Sequence, residues 1–146
     1  MINALKYHME LKNLHKQYYK TSTFYRVKIE QAQKEHKSRD EIQALNSEKW
    51  HELQYIDEQI DSLVSRRLCR IANRLMVPIP DYGNEAYWVE MGAYDVGKVL
   101  TAKGIQEIRK NIRSERKERW EWLFVLLAAL TGLVGAITGL AAVLSR

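Results

Sequence analysis

Cysteine and proline are both scarce in this chain. Among its 146 residues the only cysteine is Cys69, and the only prolines are Pro78 and Pro80. A single thiol can form neither an intrachain disulfide nor a cysteine cluster for a metal ion, which suits a reducing cytoplasm. The N-terminal residues lack the continuous apolar run of a secretory signal, because His8 and Glu10 interrupt it. We therefore expect any membrane-targeting segment to lie elsewhere in the chain.

No complete catalytic motif is present in the sequence. Segment 92–99 matches a phosphate-binding P-loop until Val99, which stands where Ser or Thr would hold magnesium. His51 and Glu52 begin a zinc-protease helix motif, but Tyr55 occupies the position of the second histidine. We predict no catalytic residue, no cofactor and no metal site, and therefore a protein that is not an enzyme. The remaining histidines are predicted to be solvated: His8, His15 and His36.

Basic residues outnumber acidic ones, 23 to 18, and give a formal net charge of +5. Such a charge favours an acidic partner, either a nucleic acid or the anionic cytoplasmic leaflet of a membrane. The densest basic cluster directly precedes the most apolar segment, which favours anionic lipid headgroups over nucleic acid as its partner. The predicted headgroup-binding residues are Arg109, Lys110, Arg113, Arg116, Lys117 and Arg119.

The C-terminal segment is predicted to be a single transmembrane helix. No charged residue lies between Trp122 and Leu144, and a helix of about 23 residues rises roughly 34 Å, enough for one crossing of a hydrocarbon core about 30 Å thick. Trp120 and Trp122 stand where indole rings favour the interface. Basic residues crowd the N-terminal flank, whereas only Arg146 follows the span. The positive-inside rule then predicts a cytoplasmic N-terminal body on an inner membrane.

Small residues recur at four-residue spacing within this span. One row holds Thr131, Gly135 and Gly139, and a second row beside it holds Gly132 between two alanines. Small side chains let helix backbones approach closely, which matters in lipid because hydrophobic burial does not drive helix association there. We therefore predict homo-oligomerisation through Thr131, Gly132, Gly135 and Gly139. The alternative is a helix that sits alone in lipid.

Two amphipathic helices are predicted before Pro78. Residues 38–77 carry apolar side chains at spacings of three and four, and Ser38 with Glu41 forms a capping-box pattern at the start. Residues 3–35 form the first helix, with a break expected at 21–23, where threonines lower helix propensity. The short joint at residues 36–37 predicts an antiparallel, coiled-coil-like hairpin. We expect the acidic stretch of helix two to pair with the lysine-rich first helix.

Aromatic residues are concentrated in the first helix. Tyr18, Tyr19, Phe24 and Tyr25 have lysines nearby, a combination that stacks nucleobases in single-strand binders. At helical spacing, however, aromatic side chains more often pack in a core. Packing is the interpretation we favour.

After Pro80 the apolar residues recur with a period of two, which is typical of β-strands. Residues 87–91 and 96–100 are β-prone runs separated by Gly92, which predicts a small β-hairpin. Thr101 is expected to cap a last helix that continues without a break into the membrane. The fold class is therefore mainly α, in four parts: a helical hairpin at 1–77, a loop and β-hairpin at 78–100, a basic juxtamembrane helix at 101–119, and the transmembrane helix and tail at 120–146.

Two resemblances accompany these patterns. Residues 67–80, with Ala72-Asn73-Arg74-Leu75 and Val77-Pro78-Ile79-Pro80, together with 100–110 and the glycine-rich span, resemble a group of uncharacterised bacterial single-pass, C-terminally anchored inner-membrane proteins. The resemblance implies a bacterial or phage origin and an inner-membrane address, and no activity. Leu100-Thr101-Ala102-Lys103-Gly104 is also similar to the LTxxG junction of winged-helix proteins, in which the threonine caps a helix and the leucine enters the core.

Three functions remain open on the sequence. The favoured prediction is a membrane-anchored interaction or scaffold protein that self-associates through its span and has an unidentified protein partner. The second is a membrane-perturbing effector, such as a phage-defence or toxin component, whose spans oligomerise. The third is a membrane-tethered DNA-binding regulator, whose residues 1–119 would bind duplex DNA in a salt-sensitive way.

Overall fold

The computed structural model describes residues 2–91 and 97–144. Its elements are α1 at Ile2–Lys34, α2 at Arg39–Leu75, β1 at Trp88–Glu90, β2 at Lys98–Leu100 and α3 at Ala102–Leu144. The mainly helical fold, the small antiparallel hairpin and the long C-terminal apolar helix are thus confirmed.

Helix α1 is continuous, so the predicted break at residues 21–23 is wrong. Thr21, Ser22 and Thr23 are half-buried, and α2 is the element that packs along α1. Packing of this kind outweighs the fraction of a kcal/mol by which each threonine disfavours a helix, roughly 0.7 kcal/mol at most. Local propensity alone therefore gave the wrong result here.

The chain reverses at His36, which adopts a left-handed conformation with φ of 52°. The Ser38 and Glu41 capping box then starts α2: the Glu41 amide donates to Ser38 Oγ at 3.3 Å, and the Ser38 amide donates to Glu41 Oε2 at 3.0 Å. The Ser38 amide and the Ser38 hydroxyl both donate to the Glu41 carboxylate, and these two hydrogen bonds lower the pKa of that carboxyl. Their contribution to stability is present above the ordinary pKa of a glutamate and is lost as pH falls through the lowered value.

Helices α1 and α2 pack as an antiparallel pair. Leu14 lies in a buried cluster with Ile56 and Leu63. Towards the start of α1, the Arg67 guanidinium stacks over the Tyr7 ring with 3.9 Å between its carbon and the ring centroid. The predicted helical hairpin is present, whereas coiled-coil packing stays a prediction. The expected charge pairing is wrong: among the described residues no ion pair within 4.0 Å joins the two helices.

A second core joins the end of α2 to the β-hairpin and α3. Its buried members are Ala72, Val77, Trp88, Leu100, Ile108 and Ile112. Helix α2 ends at Leu75, two residues before the predicted boundary, because Met76 takes a left-handed conformation with φ of 57°. The Val77 amide then donates to the Ala72 carbonyl at 2.9 Å. Val77 consequently leaves the helix and enters the core.

The β-hairpin pairs Trp88 with Leu100 and Glu90 with Lys98. Trp88 is buried, and its Nε1 donates to the Pro80 carbonyl at 3.1 Å. The predicted turn at Gly92 lies outside the described residues. The hairpin itself is confirmed, with strands shorter than the predicted runs.

Thr101 caps α3 as predicted. Its Oγ1 accepts from the Gly104 amide at 3.1 Å and donates to the Ala86 carbonyl at 2.8 Å. Leu100 is buried and Gly104 lies against the backbone of Tyr87. The threonine and leucine therefore do what they do in the LTxxG junction that they resemble. The winged-helix fold itself is not present, because α2 is one uninterrupted helix of 37 residues instead of a helix-turn-helix.

Ser65 links α2 to the β-hairpin through a buried hydrogen bond. The Leu100 amide donates to Ser65 Oγ at 2.9 Å, and both residues are buried. Replacing Ser65 with alanine is expected to lower the free energy of unfolding by about 1 to 3 kcal/mol, because the Leu100 amide loses its partner away from water. Chemical unfolding followed by tryptophan fluorescence measures the change.

Ser62→Ala is the matched control. Ser62 is buried like Ser65, but its hydroxyl forms no hydrogen bond with the described residues. We expect this variant to unfold at the wild-type denaturant concentration. Equal effects of the two alanine substitutions would contradict the role assigned to the Ser65 hydrogen bond.

Candidate functional site

The described part of the chain contains one helix that is long and apolar enough to cross a membrane. This helix is α3, which runs unbroken for 43 residues from Ala102. Its apolar half packs against nothing in the chain: every side chain from Trp120 to Thr138 is exposed. A soluble protein rarely leaves so many large apolar side chains in water. The continuous helix predicted from the body into the span is confirmed.

Gly132 and Gly135 lie on the exposed surface of the span. A β-carbon added at either position would meet no atom within 4 Å. Thr131 lies beside them, and its hydroxyl donates to the Leu127 carbonyl at 2.8 Å, inside its own helix. Gly139 belongs to α3, but its surroundings lie outside the part of the chain that the structure describes. No contact with another described residue therefore explains why Gly132 and Gly135 are small.

The basic juxtamembrane residues divide into two groups. Lys117 pairs with Glu121 at 3.5 Å and Arg119 with Glu115 at 2.8 Å. These pairs are on the helix surface, where an ion pair contributes about 0 to 1 kcal/mol, so an external anion can compete for both cations. The other predicted residues are exposed and form no ion pair with the described residues: Arg109, Lys110, Arg113 and Arg116.

Arg119 also fixes the end of α2. Its Nη2 donates to the Leu75 carbonyl at 3.4 Å. Leu75 is the last residue of α2, where carbonyl groups have no partner within the helix. This contact brings the end of α2 to the part of α3 that precedes Trp120. No short-range signal in the sequence indicates it, because 44 residues separate the two partners.

A basic groove lies between the start of α1 and the end of α2. It has a volume of about 560 Å³ and is lined by Lys6, Tyr7, Glu10, Leu63, Arg66, Arg67, Arg70, Ile71 and Arg74. We call it the arginine groove. Sequence reasoning missed it, although the spacing of Arg66, Arg70 and Arg74 by four residues indicates one shared helix face.

An acidic groove lies elsewhere on α2, beside β1. It has a volume of about 590 Å³, and its lining includes Trp50, Asp57, Glu58 and Asp61. Burial raises the pKa values of Asp57 and Asp61. Glu58 is 6% exposed, and its Oε2 has no hydrogen-bond partner among the described residues. The groove therefore favours a cationic group over an anionic one.

The incomplete P-loop and zinc-protease motifs do not form sites in the described residues. Lys98 lies in β2 and pairs with Glu90 at 3.9 Å, so no helix follows it as a P-loop requires. The preceding P-loop positions, 92–96, lie outside the described residues. His51 is exposed and its ring contacts Trp50. Over residues 2–91 and 97–144, no three His, Cys, Asp or Glu side chains come together as metal ligands.

The aromatic residues of α1 divide between the core and the surface. Tyr25 is buried and Tyr18 packs against the Leu14 cluster, as the packing interpretation predicts. Tyr19 and Phe24 are instead 72% and 56% exposed, and Lys28 lies over the Phe24 ring at 5.1 Å. Packing therefore explains half of this set.

No family model, no curated protein and no solved structure matches the chain. The resemblance to bacterial inner-membrane proteins therefore stays a prediction. The chain is a mainly helical protein in which a helical hairpin and a small β-hairpin precede one candidate transmembrane helix in the described residues.

Proposed function

We propose that this protein is a membrane-anchored interaction or scaffold protein that self-associates through its transmembrane helix. The observation that carries the proposal is the apolar half of α3, whose side chains are exposed from Trp120 to Thr138 in a protomer that offers them no cover. Lipid and neighbouring transmembrane helices, including other copies of the same helix, cover such a surface in a single-pass protein.

We propose that the protein is located in the inner membrane, with its N-terminal body on the cytoplasmic side. Support comes from the dense basic flank before Trp120. Short basic flanks stay on the cytoplasmic side. The exposed cations of α3 would bind anionic headgroups, each contributing about 1 kcal/mol near the surface.

The body supplies exposed apolar side chains on both helices of the hairpin. Trp50 on α2 is 61% exposed, and Phe24 and Val27 on α1 are 56% and 54% exposed. Exposed aromatic residues of this kind are enriched where proteins bind each other. A partner protein recognised by the helical hairpin would complete the scaffold.

Cysteine labelling in intact cells tests the address and orientation. In a Cys69→Ala background, a membrane-impermeant maleimide is expected to label Ser145→Cys and to leave Ser47→Cys, on α2, unlabelled until the membrane is opened. The parent protein should stay in the membrane fraction at alkaline pH. Release at alkaline pH would refute the anchor, and labelling of Ser47→Cys in intact cells would refute the orientation.

A further inference from the structure

We propose that the arginine groove binds the phosphate groups of anionic lipids in the membrane that α3 spans. The proposal rests on the proposed function, because it requires the span to be inserted. It adds a second contact with the membrane, made by residues of α1 and α2 that lie well before the basic flank of the span in the chain.

Contacts along α3 place the end of α2 at the membrane surface. Ser65 is bonded to Leu100 just before α3 begins, Ala72 packs with Ile108 and Ile112, and Leu75 is bonded to Arg119. The two helices therefore run in the same direction, towards the span. Since Arg119 directly precedes Trp120, which marks the interface, the last turn of α2 lies at the level of the headgroups.

The start of α1 is brought to the same end of the body. Helices α1 and α2 are antiparallel, so the first turns of α1 lie beside the last turns of α2, and Tyr7 contacts Arg67. Lys6 consequently joins the arginines in one groove. The far end of the hairpin, at His36, points away from the membrane.

The groove carries a large excess of positive charge. Its lining holds five cations, Lys6, Arg66, Arg67, Arg70 and Arg74, against one carboxylate, Glu10, a net charge of +4. None of these cations forms an ion pair with a described residue. Repulsion among them is relieved when an anion binds.

The side chains also suit phosphate rather than a diffuse negative field. Stacking on Tyr7 holds the Arg67 guanidinium in place, and Arg66 Nε donates to the Ser62 carbonyl at 3.4 Å. Arg70 and Arg74 are exposed, and their guanidinium groups make no hydrogen bond with the described residues. Guanidinium groups can bind phosphate oxygens in a bidentate manner, so two held and two free arginines form a suitable receptor.

Met76 strengthens the membrane assignment. It follows α2 directly, in the left-handed conformation, and is 91% exposed. An apolar side chain beside a basic groove matches the bilayer surface, where charged headgroups overlie hydrocarbon. Nucleic acid offers the phosphates but not an apolar layer beneath them.

The test measures the depth of residue 76 in the full-length protein. In a Cys69→Ala background, Met76→Cys carries a fluorophore, and the protein is reconstituted into phosphatidylcholine vesicles with or without about a third phosphatidylglycerol. Headgroup-region quenchers are expected to quench the probe more strongly in the anionic vesicles. Arg70→Glu with Arg74→Glu is expected to reduce that quenching by about twofold, because attraction becomes repulsion.

Two control pairs isolate the groove. Lys16→Glu with Lys20→Glu makes the same change of charge, also four residues apart and exposed, on the part of α1 further from the span. It should leave the quenching unchanged. Arg70→Lys with Arg74→Lys keeps the charge but loses the bidentate guanidinium geometry, so its quenching should fall between that of the parent protein and that of the Arg70→Glu, Arg74→Glu pair. Circular dichroism verifies that each variant is folded.

Each remaining outcome overturns the proposal in a recognisable way. Equal quenching in both vesicle types, or equal loss in both Glu pairs, would remove the groove as a lipid site while leaving the anchor intact. Loss of quenching on adding inorganic phosphate or a short DNA duplex, at constant ionic strength, would assign the groove to that ligand instead. Release of the parent protein at alkaline pH would refute the proposed function itself.

Discussion

Replacing Gly135 with leucine is expected to convert the detergent-purified protein from a defined oligomer into a monomer. A leucine side chain would hold two helix backbones apart, and close backbone approach is what stabilises small-residue interfaces in lipid. We expect the association constant to fall at least tenfold, which corresponds to about 1.4 kcal/mol. Gly132→Leu should behave in the same way. Light scattering corrected for bound detergent measures the mass.

Neither substitution should disturb the fold of the protomer, because a β-carbon at Gly132 or Gly135 would lie within 4 Å of no described atom. Loss of the oligomer therefore cannot arise from damage to the fold of a single chain. Ile137→Phe is the control: helical spacing puts Ile137 on the opposite face of the span, so added bulk there should not change the mass. A wild-type monomer would mean that the span is an anchor and nothing more.

The same variants distinguish the scaffold function from the membrane-perturbing effector function. If the assembled spans breach the bilayer, overexpression of the wild-type protein would collapse the membrane potential, and Gly135→Leu would abolish that effect. No charged residue lies between Trp122 and Leu144 to line a water-filled path, and the hydroxyls of Thr131 and Thr138 donate to carbonyls of their own helix. We expect normal potential and growth, which a potential-sensitive dye measures in living cells.

Replacing Gly104 with alanine is expected to be strongly destabilising. A β-carbon there would overlap the Tyr87 carbonyl oxygen and lie 3.0 Å from Leu100 Cδ2. The oxygen belongs to the backbone beside β1, so it cannot move as the end of a flexible side chain can. Overpacking of this kind costs roughly 1 to 3 kcal/mol. We expect a lower melting temperature for the body, measured by tryptophan fluorescence in detergent.

Gly83→Ala is the matched control for Gly104→Ala. Its β-carbon would lie 3.4 Å from Asp81 Oδ2, an ordinary contact with a side chain that can turn. Gly83 lies in the loop before the β-hairpin. The melting temperature of the Gly83→Ala variant should stay close to that of the wild type. Equal melting temperatures for the two alanine variants would contradict the close approach of α3 to the Tyr87 backbone.

Signals that act over a few residues were sufficient to predict much of this fold. The Ser38 and Glu41 box and the Thr101 cap each involve partners three residues apart, and each is formed as predicted. The long apolar helix is equally local, because an uninterrupted run of apolar residues is visible in the sequence itself. The boundary at Val77 was missed by two residues, because Met76 ends the helix without a glycine.

Features that depend on distant partners could not be predicted in this way. The arginine groove requires α1 to return beside α2 in one register, and the end of α2 is fixed by Arg119 from 44 residues away. Similarly, Ser65 has no distinctive neighbour in sequence, yet it bonds Leu100, 35 residues away. Charge patterns also misled, because no ion pair within 4.0 Å joins the acidic stretch of α2 to a lysine of α1 in the described part of the chain.

The unbroken α3 connects the rotation of the body to that of the span. Ile108 and Ile112 face the body, and Gly132 and Gly135 lie 20 to 27 residues later on the same rigid helix. At 3.6 residues per turn, the small-residue face points roughly 180° away from the body. Two copies joined through their glycines would therefore stand back to back, with their helical hairpins directed outwards. Such a pair could hold two partner proteins on opposite sides without either blocking the other.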